Sequence, residues 1–539
     1  MSLAHSLKTI GRPISRDELF KYTNGRFLAN EKKALDRRYL NFDIDQLCAV
    51  GASTGQQSPV RAIEKMEGGF SKALLLCKED GSEIIAKMPF SIAGPSKYTT
   101  ASEVAVLQYC KDAMDTNAVP VPKVLAWDSD PSNPVGAEYI MMEKAPGIQL
   151  FKIWAEMSDW DKLCIVQQLT KLEGQIARIR FPASGSLYLC ESMGDNDTYV
   201  SLGRESDPSG QFCIGPSCER GWHPPGMTAS LRSAFNPGPW PDLSSFGIAL
   251  VEREIALLRQ ELTTATYSPP RGSFDEQMTV LEMTKRVMSA LNEPTFIDRV
   301  SEPVLWHTDL HMGNIYVSEE DPAKIVSLID WQSIVVSPSF IQARFPEFLP
   351  VNEDYALGTT EFPKLPQNYN EMDADSREYA EHKLKEAKLA KGWELSSGSE
   401  NNRAYKVLRI PSFLRELFIR SGEVSEEGVI PLQACLIELS KTWNDLGFTN
   451  QCLVNFSEAD MQRHEQQFKE YRSYHEVHEL ARKMLRTDVE GWITPQVDFA
   501  AKQQQNEELL REVMRRSDEY NKSPEEICKI WPYQENSQT

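Results

Sequence analysis

Residues 306–314 read Trp-His-Thr-Asp-Leu-His-Met-Gly-Asn, and residues 328–331 read Leu-Ile-Asp-Trp. The two segments supply the carboxylate of Asp309, the carboxamide of Asn314 and the carboxylate of Asp330. Transfer of a γ-phosphoryl group needs a base that orients the attacking hydroxyl and oxygen ligands that hold Mg²⁺ on the phosphates. The sequence therefore predicts Asp309 as the base and Asn314 with Asp330 as the metal ligands.

The residues between Asn314 and Asp330 predict a β-hairpin. Two apolar runs, at residues 314–317 and 325–329, flank a Ser-Glu-Glu-Asp-Pro turn at residues 318–322. A turn of this composition between two short strands reverses the chain. We therefore expect Asp330 to lie beside Asn314, although the two are distant in sequence.

A Gly-rich turn and a strand lysine lie upstream of these motifs. Residues 67–72 read Glu-Gly-Gly-Phe-Ser-Lys and precede two apolar runs joined by an Asp-Gly turn, which is the pattern of a hairpin. Paired glycines let backbone N–H groups approach a phosphate without an intervening Cβ. The predicted nucleotide-binding residues of this turn are Gly68, Gly69, Phe70 and Ser71. Lys87 shares a strand face with Ile85, so a cation and an apolar side chain are expected to face the nucleotide together.

The counter-charge predicted for Lys87 is Glu103, in the apolar helical run at residues 100–109. Thr100 and Glu103 also have the spacing of a capping box, in which Glu103 would only bond the first amide of the helix. The ion pair is favoured, because a buried lysine without a partner is costly and no other counter-charge is evident.

The hinge between two lobes is predicted at residues 144–147, which read Lys-Ala-Pro-Gly after an apolar strand. A Pro-Gly break ends a strand and redirects the chain. Backbone groups of Met142, Glu143 and Ala145 are expected to hydrogen-bond an adenine ring there.

These motifs resemble those of the aminoglycoside phosphotransferase family, small-molecule relatives of protein kinases with the pattern H-G-D-x-H-x-x-N followed by I-D-W. The chain departs from the pattern at Thr308, where the family usually has Gly, and at Gln332, where an acidic residue often follows the Trp. The resemblance implies an α+β, bilobal protein-kinase-like fold with a small antiparallel-sheet N-lobe and a large helical C-lobe. It also implies ATP and Mg²⁺ as cofactors.

Further segments resemble the fungal branch called altered inheritance of mitochondria protein 9. They lie at residues 93–95, 130–136, 212–216 and 337–346. The similarity extends from about residue 20 to residue 532. It implies a mitochondrial connection and does not identify the acceptor.

Two other metal sites are alternatives. The H-x-D-x-H array of residues 307–311 suits zinc or iron in a hydrolase, but the remaining histidines form no comparable cluster. Cys213 and Cys218 lie near His223 in a Gly/Pro/Ser-rich loop. A structural loop is favoured there, because the spacing is not that of a zinc site.

Composition excludes several classes of partner. The 539-residue chain has a formal net charge of −20, which argues against nucleic acid and anionic membranes, because both reward a basic surface. No apolar run approaches the roughly 20 residues that span a bilayer. Ten scattered cysteines indicate reduced thiols rather than a disulfide framework. We expect no nucleic-acid partner, no integral membrane association and a small-molecule hydroxyl acceptor.

The chain divides into three predicted regions. Residues 1–21 are a basic N-terminal segment whose composition matches a mitochondrial presequence, although an ordinary basic start stays open because Gly-Arg-Pro interrupts any amphipathic helix. Residues 22–146 are the predicted N-lobe. Residues 147–539 are the helical C-lobe, with the catalytic loop at 305–332 and a C-terminal helical extension whose charged helices are expected to wall the acceptor site. Ser158 is the predicted cap of the first helix, whose apolar stripe comprises Leu163, Val166, Leu169, Leu172 and Ile176. A mitochondrial location is expected, with a cytoplasmic one as the alternative.

The motifs together predict an ATP- and Mg²⁺-dependent phosphotransferase in which Lys87 holds the α- and β-phosphates. The alternative is a catalytically silent nucleotide-binding scaffold or regulator in mitochondrial maintenance. The enzyme is favoured, because a scaffold has no physical need for the base together with both metal ligands.

Overall fold

The computed structural model describes residues 6–9, 11–113, 119–224, 227–260, 270–291, 297, 300–351 and 355–534; residues 1–5 and 10 of the predicted basic segment lie outside them. The strands are β1 Ser6–Thr9, β2 Arg12–Pro13, β3 Arg26–Phe27, β4 Val60–Glu67, β5 Ser71–Lys78, β6 Glu83–Pro89, β7 Val124–Asp128, β8 Tyr139–Glu143, β9 Ile148–Gln149, β10 Ser186–Leu189, β11 Val200–Ser201, β12 Phe212–Gly215, β13 Pro303–Leu305, β14 Ile315–Val317, β15 Ile325–Leu328, β16 Val336–Pro338 and β17 Trp492–Ile493. The helices are α1 Glu31–Asp36, α2 Ile44–Ser53, α3 Tyr98–Gln108, α4 Asp159–Ala177, α5 Ala229–Arg232, α6 Leu243–Arg259, α7 Phe274–Ala290, α8 Ser339–Gln342, α9 Ala374–Glu400, α10 Asn402–Val407, α11 Ser412–Ser421, α12 Val424–Glu427, α13 Ile430–Thr442, α14 Glu458–Leu485, α15 Phe499–Arg515 and α16 Pro524–Ile530.

The small lobe is built on a seven-stranded sheet of the described residues, in the order β2-β1-β4-β5-β6-β8-β7. Its β5–β6 hairpin turns at the predicted Asp-Gly pair. Successive side chains of β6 alternate between the two faces. Ala86 and Met88 join a core that contains Leu47 of α2, whereas Ile85 packs with the cluster that includes α3. Lys87 therefore lies on the α3 face with Ile85, as predicted.

The N-terminal segment is part of this sheet. Strand β1 runs parallel to β4, with Ser6 opposite Ala62. Buried Lys65 donates hydrogen bonds to the carbonyls of Glu18 at 2.6 Å and Lys21 at 3.0 Å, which fasten the following segment to the sheet. The small-lobe sheet therefore begins before residue 22, the boundary that the sequence predicted.

The hinge residues 144–147 end β8 at the predicted Pro-Gly break. Gly147 has φ +83°, and a Cβ there would lie 2.1 Å from the carbonyl oxygen of Val317. This close approach lets β9 pair with β14 of the large lobe, with Gln149 opposite Tyr316. Only glycine satisfies both the backbone conformation and the contact.

The large lobe is helical and begins with α4, which Ser158 caps by accepting a hydrogen bond from the Asp161 amide. The predicted apolar stripe of α4 is buried at Val166, Leu169 and Ile176, whereas Leu163 at its start is exposed. Helix α4 packs against α9. The main core of the lobe lies among α6, α7, α11 and α13. Every helix in the described part of the chain is too short or too polar to span a membrane.

Helices α14, α15 and α16 form the predicted C-terminal extension, but the extension contacts both lobes. Helix α14 packs against α13 of the large lobe. The core of the extension includes Leu28 of the small lobe, and β17 pairs with β3, with Trp492 opposite Phe27. Its residues do not line the cleft beside Asp309, contrary to the expectation that these helices wall the acceptor site.

The hinge geometry predicts that Gly147→Ala is strongly destabilising. The added Cβ meets a backbone carbonyl, and the fold holds this residue at a positive φ that strains alanine. We therefore expect a loss of more than about 2 kcal/mol in the free energy of unfolding. Gly136→Ala is the matched control, because Gly136 has φ +76° with nothing within 4 Å of the added Cβ. It should cost about 1 kcal/mol. Urea denaturation of both variants measures the difference, and equal losses would contradict the proposed role of the Val317 contact.

Candidate active site

The catalytic loop follows β13 and is held from behind by His307. The Nε2 atom of His307 donates to the carbonyl of Ile329 at 2.9 Å, and its ring packs edge-on against Trp331 at 4.6 Å. Burial lowers the pKa of His307, so the imidazole is neutral at physiological pH. His307 thus ties the loop that carries Asp309 to the segment that carries Asp330.

The predicted hairpin brings the two metal-ligand candidates together. Ile315 of β14 lies opposite Leu328 of β15, and the Ile329 amide donates to the Asn314 carbonyl at 3.0 Å. Asp330 follows with φ +61°, a left-handed conformation that redirects its side chain at the strand end. The Asn314 Nδ2 donates to the Asp309 carbonyl at 2.9 Å, which fixes the carboxamide against the catalytic loop.

The ammonium of Lys87 lies between two carboxylates from different parts of the fold. Its Nζ is 2.6 Å from Glu103 Oε1 on α3 and 2.7 Å from Asp330 Oδ1 in the large lobe. Burial lowers the pKa of Lys87, but the charges of Asp330 and Glu103 outweigh it and raise the pKa above its ordinary value. Against its own burial, Lys87 likewise holds the pKa of Asp330 low. Lys87 and Asp330 are therefore charged at neutral pH, whereas burial raises the pKa of Glu103 and the Lys87 ammonium opposes that rise.

The capping-box interpretation of Glu103 is wrong. Helix α3 begins at Tyr98, and the side chain of its N-cap residue, Lys97, makes no capping hydrogen bond. Both Thr100 and Glu103 lie within the helix and are buried. The predicted ion pair with Lys87 is present instead.

The Gly-rich turn connects β4 and β5 and exposes Gly68, Gly69 and Phe70. The Gly68 amide donates to the Ser71 carbonyl at 2.9 Å, and the Phe90 amide donates to the Phe70 carbonyl at 2.8 Å. A Cβ on Gly69 would meet nothing within 4 Å, and neither Gly68 nor Gly69 has a positive φ. The fold therefore does not require glycine at position 69. A phosphate that approaches the backbone there would require it, because a Cβ would stand in the way.

The hinge offers fewer adenine contacts than predicted. Met142 lies within β8, opposite Ile85, and the Glu143 amide already donates to the Lys123 carbonyl at 2.9 Å. The Glu143 amide therefore bonds the protein itself and is not available to an adenine ring. The Ala145 amide has no hydrogen-bond partner within the part of the chain that the structure describes.

A cleft of about 330 Å³ opens beside Asp309. Partial desolvation in the cleft raises the pKa of Asp309, the negative charges of Asp330 and Glu347 add to the rise, and His311 opposes it. Three charged or titratable residues of the cleft wall were not predicted: Glu173, Arg344 and Glu347.

Glu173 is a buried carboxyl in that wall. Burial raises its pKa to about 8, although the Trp393 indole donates to it at 3.1 Å. It is therefore largely protonated at neutral pH and presents a hydrogen-bond donor. Its position beside the apolar stripe of α4, next to Leu172, is the sequence signal that could have identified it.

The geometry suits a nucleotide with a divalent cation. Asn314 and Asp330 are oxygen donors of the kind that Mg²⁺ prefers. Lys87 donates to Oδ1 of Asp330. Among the described residues, neither Asp330 Oδ2 nor Asn314 Oδ1 has a hydrogen-bond partner. The His307 imidazole bonds the Ile329 carbonyl, and the His311 imidazole bonds the Gly313 amide. These contacts disfavour the hypothesis that residues 307–311 hold the metal of a hydrolase.

The side chains of the alternative metal site near Cys218 also bond other groups of the protein. Ser186 Oγ donates to Cys218 Sγ at 3.2 Å, and His223 Nε2 lies 2.9 Å from the Ser217 carbonyl. Cys213 is buried in β12. These contacts are those of a structural loop.

A family model described as the phosphotransferase enzyme family matches residues 63–339, just over half of the chain. The chain belongs to this phosphotransferase family. The match covers the Gly-rich turn, Lys87, Glu103 and the whole catalytic loop. The α+β, kinase-like fold implied by the resemblance is confirmed by the two lobes.

Several relatives of this chain are fungal proteins. A subtelomeric hrmA-associated cluster protein of Aspergillus fumigatus is 30% identical over 522 residues, which cover 89% of this chain and 98% of the relative. The altered inheritance of mitochondria protein 9 of Eremothecium gossypii is 22% identical, with 85% of each chain covered. The Saccharomyces cerevisiae protein of that name is 23% identical, over 89% of this chain and 86% of the relative. The predicted resemblance to that branch is confirmed.

Solved structures of aminoglycoside phosphotransferases are also similar to the chain. The streptomycin–ATP complex of APH(2″)-IIa aligns with a TM-score of 0.36 and 11% identity, over 75% of this chain and 97% of that chain. The ternary complex of APH(4)-Ia with ADP and hygromycin B aligns with a TM-score of 0.33 and 13% identity, over 70% of this chain and 94% of that chain.

The Lys87–Glu103 contact predicts coupling in nucleotide binding. Glu103→Gln removes the charge that holds Lys87 toward α3, so we expect affinity for Mg²⁺·ADP to fall roughly tenfold, about 1.4 kcal/mol. The effect of Glu103→Gln should largely vanish in a Lys87→Met background, with a coupling energy of about 0.5–3 kcal/mol. Isothermal titration calorimetry measures the cycle.

Asp45→Asn is the control, because it breaks an exposed pair with Arg16 at 2.8 Å elsewhere in the small lobe. This control should leave the affinity unchanged. Strictly additive effects of Glu103→Gln and Lys87→Met would contradict a shared function of the pair.

Proposed function

We propose that the protein transfers the γ-phosphoryl group of ATP to a hydroxyl of a small molecule. The proposal rests on two contacts beside Asp309: Asn314 bonds the Asp309 carbonyl, and Lys87 pairs with Asp330. Asp309 itself lines a cleft. These side chains come from both lobes, and phosphoryl transfer between the lobes needs this combination of cation, metal ligands and base.

Each residue has a distinct role in this proposal. Lys87, held by Glu103, binds the α- and β-phosphates, and the amides of the Gly-rich turn cover the triphosphate. Asn314 and Asp330 would hold Mg²⁺, which neutralises charge on the transferring phosphoryl group when bound. Asp309 accepts a hydrogen bond from the acceptor hydroxyl and orients its oxygen toward the phosphorus, and the hydroxyl proton leaves toward the carboxylate.

The nucleotide base is proposed to lie against the hinge. The free Ala145 amide is suited to donate to an adenine nitrogen, while Met142 and Glu143 border the ring through their backbones. The side chain at residue 145 points away from this contact in the proposal, so its identity matters little.

The cleft supports a small acceptor rather than a protein one. A volume of about 330 Å³ is at the lower end of the range for small-molecule sites. Its wall combines the Arg344 guanidinium with the carboxylate of Glu347 and the carboxyl of Glu173. A polar molecule with several hydrogen-bonding groups suits this mixture.

We also propose a mitochondrial location, which is supported by the names of the relatives at 22–23% identity.

The proposed role of Asp309 predicts the effect of Asp309→Asn. The variant keeps the shape but loses the carboxylate, so phosphoryl transfer should fall by roughly 10²–10⁴ while Mg²⁺·ADP affinity stays unchanged. The assay is an ATP-dependent mass gain in a metabolite extract. Asp321→Asn, in the exposed β14–β15 turn, is the control and should be fully active.

The same pair of variants separates the enzyme from the silent scaffold. Full rescue of cells that lack the protein by Asp309→Asn would favour the scaffold and overturn the proposal. Failure of rescue, with normal folding and nucleotide binding, supports turnover.

The charge of Glu347 predicts a pH dependence. Glu347 raises the pKa of Asp309, so Glu347→Gln should lower that pKa. Because Asp309 acts in its deprotonated form, activity lost on acidification should then be lost at a lower pH. The measurement is the acidic limb of the rate–pH profile, with Glu319→Gln in the exposed turn as control. A shift of the limb to higher pH would contradict the assignment of Asp309 as the base.

A further inference from the structure

The C-terminal extension reaches the small lobe next to the Gly-rich turn. Residues 488–492 form a turn in which Asp488 Oδ1 accepts hydrogen bonds from the amides of Glu490 and Trp492, both at 2.9 Å. The turn is fastened to the small lobe, because the Leu28 amide donates to the Gly491 carbonyl at 2.9 Å. This geometry aims Glu490 at the small lobe.

Glu490 forms an ion pair with Arg38, whose side chain is almost completely buried. The Nε of Arg38 donates to the carbonyl of Gly69 at 3.1 Å, and its Nη1 donates to the Ala34 carbonyl at 3.1 Å. The guanidinium also lies over the Phe27 ring, 4.8 Å from its centroid. Arg38 is thus a fixed bridge from the C-terminal extension to the centre of the Gly-rich turn.

A second chain of contacts holds the start of the turn. The Trp492 indole donates to the Asn24 carbonyl at 2.9 Å, and Asn24 Nδ2 donates to the Glu67 carbonyl at 2.5 Å. The Thr23 amide donates to the Glu67 carboxylate at 2.8 Å. Glu67 and Gly69 are therefore both linked to the same five-residue segment of the extension.

The tip of the turn is held from the large lobe. The guanidinium of Arg220 lies over the Phe70 ring, 4.0 Å from its centroid. Burial lowers the pKa of Arg220, and the charge of Glu490 opposes that effect by favouring the protonated guanidinium. Glu490 therefore acts on two guanidinium groups that contact neighbouring residues of the turn.

These contacts matter because a turn with two adjacent glycines is costly to order. Glycine loses more backbone freedom than any other residue when it is fixed. A turn that is ordered before the ligand arrives spares the ligand that cost, and preorganisation of this kind increases affinity without a new contact.

We propose that Arg38 is a positioning residue for the Gly-rich turn, and that its pairing with Glu490 makes nucleotide affinity depend on docking of the C-terminal extension. The inference rests on the proposed function for its ligand, the diphosphate of a nucleotide. It assigns the extension a role in the nucleotide site through Arg38, which lies 452 positions before Glu490 in the chain.

The test uses Glu490→Gln in the full-length protein, because the Glu490 side chain is 34% exposed and its loss leaves little buried charge apart from Arg38. The affinity for Mg²⁺·ADP should fall roughly three- to tenfold. Amide hydrogen exchange of residues 68–71 in the nucleotide-free protein should become faster. Glu490→Asp keeps the charge and should restore part of both properties.

The matched control is Glu519→Gln, which breaks an exposed ion pair with Arg516 at 2.7 Å within the same extension. It should change neither exchange nor affinity. Trp492→Phe is a second variant that removes the indole donor to Asn24, and it should also speed exchange at residues 68–71. Exchange in Glu490→Gln and Trp492→Phe equal to that of the wild type would overturn the proposal.

The two proposals fail separately. If the wild-type protein binds no Mg²⁺·ADP, the proposed function fails, but faster exchange in Glu490→Gln still supports the positioning of the turn. If the wild type binds Mg²⁺·ADP and Glu490→Gln binds it equally well, the inference is overturned and the proposed function stands.

Discussion

The burial of the Lys87 ammonium is the constraint on which the arrangement of the two lobes depends. An ammonium removed from water is strongly destabilising unless carboxylates and good geometry compensate. Here one carboxylate comes from α3 and the other from the segment after β15 of the large lobe. Strand β6, helix α3 and the large lobe must therefore approach within hydrogen-bonding distance of one ammonium, so that Lys87 can be buried on the α3 face of the sheet.

The same contact links the nucleotide side of the site to the metal side. Asp330 bonds Lys87 through one oxygen, and it follows directly after the Ile329 carbonyl that His307 holds. A shift of α3 would thus move Lys87, then Asp330, and then the loop that carries Asp309. Packed and hydrogen-bonded groups of this kind change position together rather than one at a time.

The parts of the fold that the sequence predicted are those with local signals. The β14–β15 hairpin and the Lys87–Glu103 pair followed from strand, turn and charge patterns within short windows. The start of α3 was placed two residues too late, because Lys97 at the N-cap carries no capping signal. The cleft wall was missed, since Glu173 is distant in sequence from Arg344 and Glu347 and all three lie outside the phosphoryl-transfer motifs.

The docking of the extension had no sequence signal at all. Strands β3 and β17 have two residues each and lie at opposite ends of the chain, so neither periodicity nor spacing indicates that they pair. The parallel pairing of β1 with β4 was hidden in the same way, because the basic composition of residues 1–21 suggested a targeting segment. Non-local pairs of short strands are the features that pattern-based reasoning detects least well.

Strand β1 also has a protective effect on the sheet. Without it, β4 would be an edge strand eight residues long, with a row of unpaired amides and carbonyls of the kind that recruits strands from other molecules. β1 occupies that edge, and the two-residue β2 that follows it ends in Pro13, which cannot donate a ladder hydrogen bond. The outermost strand is thus too short and too poor in donors to template further growth, so the first residues of the fold guard the protein against edge-to-edge aggregation.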